Sequence, residues 1–517
     1  MNNDASKTDG HARGSRPSVV EAFGIRGLHG YRDISLQSAH AASILIARNG
    51  SGKTTLLGVL DAFLRCQYSR LKQLEFDSIF CKFRDIPEQI VLTRPDLDEA
   101  LEATKNSELS ALAARAGILP DALQSFLEYW SDQFPNFTGS SEHPVYASLY
   151  KLYGYNSPRL AKAMAEIKPS IFGHNAAVSR IALATKRAMK SYDLVYLPTY
   201  RRVEITLKEN SERAHYRRKR PQLDVAPGTF YSSEMQFGLT DISDRLNDMN
   251  EQITIESNRE YRRISAAIIN DLLDGLDDRD TTLTSIPSRE DLTLLFSRVE
   301  RSRSYGPYDP SSIPDLDKIY SQDVPKSSRK FLNYFLGQLD RVISRTKDVE
   351  SKVQDFVSIC NSYLSTDDGS ARVIGAIPSE DFDAKELKLD RKNLKVRVVS
   401  VHENRPISLD AMSSGEKQMI SLFAKLYLYD KPKIVLIDEP ELSLSLDWQR
   451  RILVDVINSP HCDQLIAITH SPFVFENELD CYAGSLSLKF RPVQALALDA
   501  NDSLFDEGDF DEETFVG

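Results

Sequence analysis

The sequence has few cysteines and no long apolar run, and these absences exclude several classes of protein. Five cysteines occur in 517 residues, and none of them forms a Cys-x-x-Cys pair or another zinc-binding spacing. Such a sparse, odd-numbered set is typical of a reducing compartment, so we predict a cytoplasmic protein with unpaired thiols. No apolar run approaches the ~20 residues that cross a bilayer, which argues against a membrane protein. Residues 1–17 are polar, and we expect a flexible tail there rather than a secretion signal.

An excess of positive charge is also missing. Lysine and arginine number 64 against 75 aspartates and glutamates, which gives a net charge of −11. A protein that coats nucleic acid through bulk positive charge is therefore excluded, and any such contact must come from a local patch. The hydrophobic share of 41% and the charged share of 27% are ordinary for a soluble globular protein. The length allows roughly two to four domains.

The apolar pattern predicts an α/β fold. Residues 19–37 partly alternate and indicate two short antiparallel strands, and 43–47 indicate a buried strand. Continuous apolar runs at 434–437 and 465–468 are typical of central parallel strands that are covered on both faces. Period-two alternation over 387–398 predicts a half-exposed sheet. We therefore expect a mostly parallel central sheet, an antiparallel β lobe and a large helical insertion.

Changes in composition divide the chain into several predicted segments. Spacings of three and four between apolar residues indicate helices in the middle of the chain, whereas the last segment is acidic and solvated. We call the segments that contain the predicted α/β sheet the head. The segments are a tail (1–17), the first part of the head (18–94), a helical insertion (95–190), a strand with a basic loop (191–238), a helical arm (239–375) with an irregular connector (278–326), the second part of the head (376–498) and an acidic tail (499–517).

A glycine-rich loop joins the strand at 43–47 to a predicted helix. Residues 47–54 read Ala-Arg-Asn-Gly-Ser-Gly-Lys-Thr and match the phosphate-loop pattern except for alanine at its first position. Glycines let consecutive backbone N–H groups converge on phosphate oxygens, and the helix N-terminus adds a positive dipole. We predict ATP and Mg²⁺ as cofactors, with Lys53 on the β- and γ-phosphates and Thr54 on the metal. An ordinary glycine-rich turn is the alternative. The predicted nucleotide-binding residues of this loop are Asn49, Gly50, Ser51, Gly52, Lys53, Thr54 and Thr55.

An apolar strand at 434–437 ends in two acidic residues, Asp438 and Glu439. Charged groups at the carboxyl end of a buried parallel strand lie at the ligand crevice of an α/β sheet. We expect Asp438 to hold Mg²⁺ together with Thr54, and Glu439 to polarise the attacking water. An exposed acid pair without a catalytic role is the alternative, and the phosphate loop in the same chain disfavours it.

Two further motifs flank this strand. Residues 412–418, Met-Ser-Ser-Gly-Glu-Lys-Gln, precede a predicted helix. Serine and glycine at a helix start form an anion site, although an ordinary helix cap has the same residues. The strand at 465–468 is followed by Thr469 and His470. A lone histidine is more often structural, but its place at a strand end favours a function here.

The order of these motifs resembles that of the ATP-binding-cassette ATPases, and the Ser-x-Gly-Glu-Lys form resembles their chromosome-maintenance and repair branch. The resemblance implies a P-loop ATPase head that forms a head-to-head homodimer around ATP. It implies that Ser413, Gly415 and Glu416 of one copy close on the γ-phosphate that the other copy holds.

The same resemblance implies that Glu439 and His470 are the catalytic residues, with His470 as the switch histidine that senses the γ-phosphate. It also implies a D-loop near 443–447. The glutamine-bearing loop of that family is not assigned, and Gln73 and Gln89 are the candidates.

Positive charge and tyrosines cluster between residues 200 and 220, including the run Arg217-Arg218-Lys219-Arg220. Such a segment is suited to track a nucleic-acid backbone and to stack bases. A solvated loop that is balanced by nearby glutamates is the alternative. The sequence leaves both open.

Several segments together resemble the PtuA-like ATPases of the Septu antiphage systems, including the retron-associated versions. The resemblance implies an ATPase subunit that acts with a separate HNH nuclease of the PtuB type. In the retron versions a reverse transcriptase and its DNA and RNA join the assembly. The segments are 197–204, 360–364, 413–418 and 469–478.

Three functions remain as hypotheses. The first is an ATP-binding and ATP-hydrolysing subunit of an antiphage defence complex, which controls a partner nuclease through slow or regulatory hydrolysis. The second is an SMC- or RecF-like repair ATPase that clamps DNA directly. The third is an overcoming-lysogenization-type nuclease, which is disfavoured because only about 47 residues follow His470 and they lack a spaced acidic metal constellation.

Overall fold

The computed structural model of the chain covers most of the predicted head and helices. It describes residues 13–48, 50–105, 108–129, 144–167, 175–198, 239–273, 286–301, 314–320, 325–364, 385–408, 411–442 and 444–491. Five predicted features lie outside these residues: most of the N-terminal tail (1–12), Asn49, the basic stretch at 200–220, Ser443 of the D-loop and the acidic tail at 499–517.

A five-stranded sheet forms the centre of the head, and every pairing in it is parallel. Its strand order is β12-β3-β11-β10-β6. The runs at 434–437 and 465–468 are buried in β10 and β11, two adjacent inner strands, which confirms the predicted central strands. The strands are β3 (Ala42–Ile46), β6 (Asp193–Leu197), β10 (Lys433–Asp438), β11 (Cys462–Thr469) and β12 (Ala483–Ser485).

Alternate residues of the central strands enter two different apolar cores. Ile434 and Leu436 of β10 pack in one core with the helix α1 (Lys53–Leu64), which follows the glycine-rich loop. Val435 and Ile437 pack in the other core with α12 (Ser414–Leu428) and α13 (Leu446–Asn458). Because side chains alternate across a strand, the sheet is covered on both faces.

Two antiparallel sheets accompany the central one, as the alternating patterns predict. The predicted hairpin at 19–37 is present as β1 (Val20–Leu28) and β2 (Arg32–Gln37). It belongs to a sheet of order β13-β2-β1-β4-β5. A third sheet has the order β7-β8-β9. The remaining strands are β4 (Ser78–Phe83), β5 (Ile90–Thr93), β7 (Lys385–Asp390), β8 (Lys395–Ser400), β9 (Pro406–Ile407) and β13 (Ser487–Phe490).

Helices occupy the described part of 95–190. The two outer helices pack on the core around α1, whereas the four inner ones enclose a small apolar core of their own, which includes Leu112, Leu127 and Leu149. The α/β class with a helical insertion is therefore confirmed. The helices are α2 (Arg94–Lys105), α3 (Glu108–Ala116), α4 (Pro120–Tyr129), α5 (Pro144–Leu152), α6 (Ser157–Ile167) and α7 (Ala176–Met189).

Two long helices, α8 (Leu239–Leu273) and α11 (Lys326–Leu364), form the arm and pack against each other. Between them lie α9 (Arg289–Arg301) and α10 (Leu316–Tyr320). We call α9, α10 and the parts of α8 and α11 that pack on them the helical lobe. Among the described helices, none is both long enough and apolar enough to cross a lipid bilayer.

The expectation of an irregular connector over 278–326 is wrong for its described middle part, which is the helix α9. Acidic, serine and proline residues dominate the composition of that segment and hide its apolar spacing. Leu292, Leu295 and Val299 follow one another at intervals of three and four and are buried in the lobe, which is the pattern of an amphipathic helix.

Candidate nucleotide-binding site

The glycine-rich loop lies between β3 and α1, as the sequence predicts. Gly50 and Gly52 have φ angles of 77° and 90°, a left-handed conformation that residues with a Cβ rarely adopt. A Cβ on Gly52 would also lie 3.3 Å from Cδ1 of Ile34. The path of the loop therefore favours glycine at both positions.

The N-terminus of α1 is suited to an anion. Its N-cap is Gly52, no side chain caps the first turn, and that turn contains no acidic residue. Thr54 and Thr55 lie in the same turn and are partly exposed. The hydroxyl of Ser51 is buried without a hydrogen-bond partner. Free N–H groups, a helix dipole and an unpaired hydroxyl together fit a phosphate group.

Lys53 is the first residue of α1, and its side chain is only 5% exposed. Its ammonium nitrogen lies 3.2 Å from Oε1 of Glu439 and 2.5 Å from Nδ1 of His470. It also lies 3.5 Å from the carbonyl oxygen of Ala47. The structure therefore brings three of the predicted site residues into direct contact, although they come from distant parts of the chain.

Glu439 follows β10 in a strained conformation. Its φ angle is 53°, and the left-handed region costs a non-glycine residue about 1–2 kcal/mol. The backbone N–H of Glu439 donates to the carbonyl of Ile468 at 2.8 Å, and Oε1 lies 3.1 Å from Nε2 of His470. Backbone strain that the surrounding structure maintains is common at functional sites.

The two predicted metal ligands lie on elements that pack against each other. Thr54 is in the first turn of α1, and Asp438 is the buried last residue of β10. Within the described residues, no group of three histidine, cysteine, aspartate or glutamate side chains could hold a metal alone. A hydroxyl and one carboxylate suit Mg²⁺ that is also bound by phosphate oxygens and water.

Glu441 holds the end of β11 and was not predicted from the sequence. Its carboxylate accepts hydrogen bonds from the hydroxyl of Thr469 at 2.8 Å and from the backbone N–H of His470 at 3.1 Å. The side-chain amide of Gln449 on α13 donates to the carbonyl of Glu441 at 3.2 Å, and Ser471 donates to Gln449 at 3.1 Å. The only sequence signal for Glu441 is its position two residues after Glu439.

Arg32 also contacts the loop and was not predicted. Its Nη1 donates to the carbonyl of Gly50 at 3.1 Å, and its guanidinium lies 5.3 Å from the ring centre of Tyr31. The rings of Tyr31 and Phe490 are stacked with centres 6.4 Å apart, and both are exposed. No sequence motif marks this group, because β2 and β13 meet only in the folded sheet.

The residues that are predicted to form the signature segment lie at the start of α12. Ser413 is the N-cap and is exposed. The hydroxyl of Ser413 accepts the N–H of Glu416 at 3.3 Å, and the carboxylate of Glu416 accepts the N–H of Ser413 at 2.7 Å. This reciprocal arrangement is a capping box. Gly415 is buried between them.

Glu416 has a further partner in Lys385, whose ammonium lies 2.9 Å from the carboxylate. Burial raises the pKa of Glu416, but hydrogen bonds from Lys385 and the N–H of Ser413 outweigh it and hold the pKa below its usual range. Glu416 therefore binds within its own chain, whereas Ser413 faces solvent. Among the described D-loop residues, Ser445 caps α13 and Leu446 is exposed.

A comparison with protein-family models identifies the class of domain. The model of the family described as "AAA domain, putative AbiEii toxin, Type IV TA system" matches residues 202–476, slightly more than half of the chain. Among solved structures, the crystal structure of the SmcHead bound to the C-winged helix domain of ScpA is similar, with a TM-score of 0.30 and 12% sequence identity. That match covers 92% of this chain and 98% of the other. No curated protein matches the sequence.

Proposed function

The chain belongs to this AAA-domain family, and from that premise we propose that it binds and hydrolyses ATP between two copies of itself. The observation that supports this most directly is the contact of Lys53 with both Glu439 and His470 at the N-terminus of α1. A cation, a carboxylate and an imidazole beside an uncapped helix end are the groups that bind a triphosphate and activate a water.

The chain's own residues divide the chemistry. Backbone N–H groups of 50–54 bind the phosphates, and Lys53 donates to their oxygens. Thr54 and Asp438 would hold Mg²⁺, which would supply positive charge at the phosphates. Glu439 accepts a proton from the attacking water. His470 donates a hydrogen bond toward the γ-phosphate, and Glu441 holds its backbone in place.

The second copy supplies the signature residues. Ser413 is the exposed N-cap of α12, and the positive end of a helix dipole favours an anion. The phosphate loop and the signature helix pack on opposite faces of the central sheet. A head-to-head pair, in which Ser413 and Gly415 of one copy reach the triphosphate of the other, joins the two halves of the site.

We further propose that this ATPase is a subunit of an antiphage defence complex and that its nucleotide state controls a partner HNH nuclease. The sequence segments at 197–204, 360–364, 413–418 and 469–478, which resemble the Septu ATPases, support this role. The family description, which names a toxin system, is compatible with it. A retron reverse transcriptase with its nucleic acid is a further possible member of the complex.

Direct action on DNA is the second candidate, and the basic run at 217–220 favours it. Replacement of Arg217, Arg218 and Arg220 by alanine separates the two. If the chain clamps DNA, these changes lower its affinity for DNA and reduce the salt dependence of binding. Unchanged binding and salt slope remove the support for this candidate.

The ATPase proposal is tested with Glu439→Gln, which removes the proton acceptor and keeps the shape of the side chain. Loss of a general base lowers hydrolysis by about 10²–10⁴-fold, so we expect ATP to remain bound and a dimer to accumulate in light scattering with ATP and Mg²⁺. The exposed Glu88→Gln is the control and should behave as the parental chain. Parental hydrolysis in Glu439→Gln would show that Glu439 is not the base. Purification from the native operon then tests whether an HNH nuclease accompanies the chain.

A further inference from the structure

The hairpin of β7 and β8 connects the signature segment to the helical lobe. At its first residue, Lys385 contacts both carboxylate oxygens of Glu416 at 3.0 and 2.9 Å. At its turn, Arg391 lies 3.4 Å from Glu350 on α11 and 3.5 Å from Asp291 on α9. One short hairpin therefore has ionic contacts with two parts of the molecule that are far apart in sequence.

The strand β7 cannot slide along the arm. The edge of β7 that does not pair with β8 is bonded to Asn361 of α11. The side-chain amide of Asn361 accepts the N–H of Leu387 at 2.7 Å and donates to the carbonyl of Leu387 at 3.0 Å. The other edge of β7 pairs with β8 over six residues. Since both edges are bonded, we expect a displacement of α11 to move the strand as a whole.

The contact at the turn is buried and specific. Arg298 of α9 donates to Glu350 at 2.6 Å and to the carbonyl of Arg391 at 2.8 Å, and both Arg298 and Glu350 are buried. Removal of one partner from a buried ion pair strongly destabilises the folded protein, because the other charge remains buried without compensation. The turn of the hairpin is therefore kept in register with the lobe.

At the other end, Lys385 determines where the carboxylate of Glu416 lies. That carboxylate accepts the backbone N–H of Ser413 at 2.7 Å, so its position sets the turn in which Ser413 precedes α12. Ser413 is exposed in this turn. A change in the position of Lys385 consequently changes the direction of the exposed signature serine.

We propose that Lys385 is a positioning residue for the signature segment, and that the hairpin of β7 and β8 transmits the placement of the helical lobe to the surface that meets the second copy's triphosphate. The proposal rests on the proposed function. It implies that a partner bound to the lobe controls closure of the dimer and hydrolysis, while the phosphate loop keeps its own affinity for nucleotide.

The first test compares Lys385→Met with Lys388→Met, an exposed lysine on the same strand that donates to Asn404. ATP affinity, hydrolysis rate and ATP-dependent self-association are measured on the full chain. We expect Lys385→Met to bind ATP within about twofold of the parental affinity but to lose at least about tenfold in both kcat and self-association. Lys385→Arg, which keeps the charge, should restore most of both. Lys388→Met should match the parental chain.

The second test uses Arg391→Met, which alters the far end of the hairpin and leaves Glu416 and Lys385 intact. We expect a lower kcat with retained ATP affinity here as well. Parental hydrolysis and association in Lys385→Met would overturn the positioning role. A defect in Lys385→Met together with parental behaviour of Arg391→Met would overturn the transmission through the hairpin. Failure of the parental chain itself to associate with ATP would instead contradict the proposed dimer, so the two failures are distinguishable.

Discussion

Nζ of Lys53 lies 2.5 Å from Nδ1 of His470, although 417 positions separate the two residues in the chain. Both also lie within 3.2 Å of the Glu439 carboxylate. Glu439 follows β10, His470 follows β11, and Lys53 begins the helix α1, which the glycine-rich loop joins to β3. These three strands are adjacent and parallel. Because carboxyl ends of parallel strands share one edge of a sheet, the fold itself assembles this cluster.

Replacement of Lys53 by alanine should weaken nucleotide binding strongly. Each hydrogen bond from a charged donor contributes about 1.5–3 kcal/mol, so the loss of Lys53 should weaken binding by at least about tenfold to a hundredfold. Titration with a fluorescent ATP analogue measures this effect. Lys151→Ala, at an exposed lysine of α5, is the matched control. Undiminished affinity in Lys53→Ala would contradict the assignment of the phosphate loop.

Glu441 offers a test of whether the placement of His470 matters for catalysis. Glu441→Gln keeps one acceptor oxygen but loses the second, so it cannot accept from both Thr469 and the N–H of His470 as the carboxylate does. We expect kcat to fall by about tenfold and the ATP affinity to change by less than about threefold, because Glu441 does not contact the phosphate loop directly. The exposed Glu476→Gln controls for loss of charge near the same strand end. An equal fall in both variants would show that charge, not placement of His470, is responsible.

The sequence predicts the parts of the site in which residue type and local structure coincide. The glycine loop, the carboxylate strand and the strand before His470 each combine a continuous apolar run with polar residues at its end. Such patterns involve only neighbours within about ten residues, so they can be recognised in the sequence before the fold is known. The alternation over 387–398 similarly predicts a half-exposed sheet, which β7 and β8 form.

Other parts of the site depend on contacts that only the fold creates. Arg32 reaches Gly50 because β2 lies beside the loop, and Lys385 reaches Glu416 because β7 begins near α12. Neither residue stands in a distinctive local pattern. The helix α9 is not predicted from the sequence for a different reason, because the polar residues around its apolar stripe hide that pattern.

A half-buried carboxylate at the junction of the head and the helical insertion predicts a pH dependence of stability. Glu128 on α4 accepts hydrogen bonds from the backbone N–H and the hydroxyl of Ser69, at 3.0 and 2.6 Å, and from Gln124 at 3.0 Å. Burial raises the pKa of Glu128 from 4.5 to about 7, and the hydrogen bonds offset this only in part. Ser69 lies in the 3₁₀ turn Tyr68–Leu71 of the head, so the carboxylate joins α4 to that turn.

The sign of the effect follows from the raised pKa. Below pH 4.5 Glu128 is protonated in both the folded and the unfolded chain, so it contributes no pH dependence. As the pH rises from 4.5 to about 7, the unfolded chain releases this proton while the folded chain retains it, and the free energy of unfolding decreases. The total decrease is on the order of 3 kcal/mol, and it stays constant at higher pH.

Glu128→Gln should therefore be more stable than the parental chain at pH 8 and differ little from it at pH 5. Urea denaturation at both values measures the difference, and hydrogen exchange of α4 shows whether the change is local. Asp121→Asn, on the same helix, removes an exposed ion pair with Lys72, which contributes at most about 1 kcal/mol. Its effect should have the opposite sign at pH 8, because the acid of an ion pair stabilises the fold when ionised. If Glu128→Gln lowers stability equally at pH 5 and pH 8, the carboxylate is ionised in the folded chain and its hydrogen bonds, not its burial, determine its pKa.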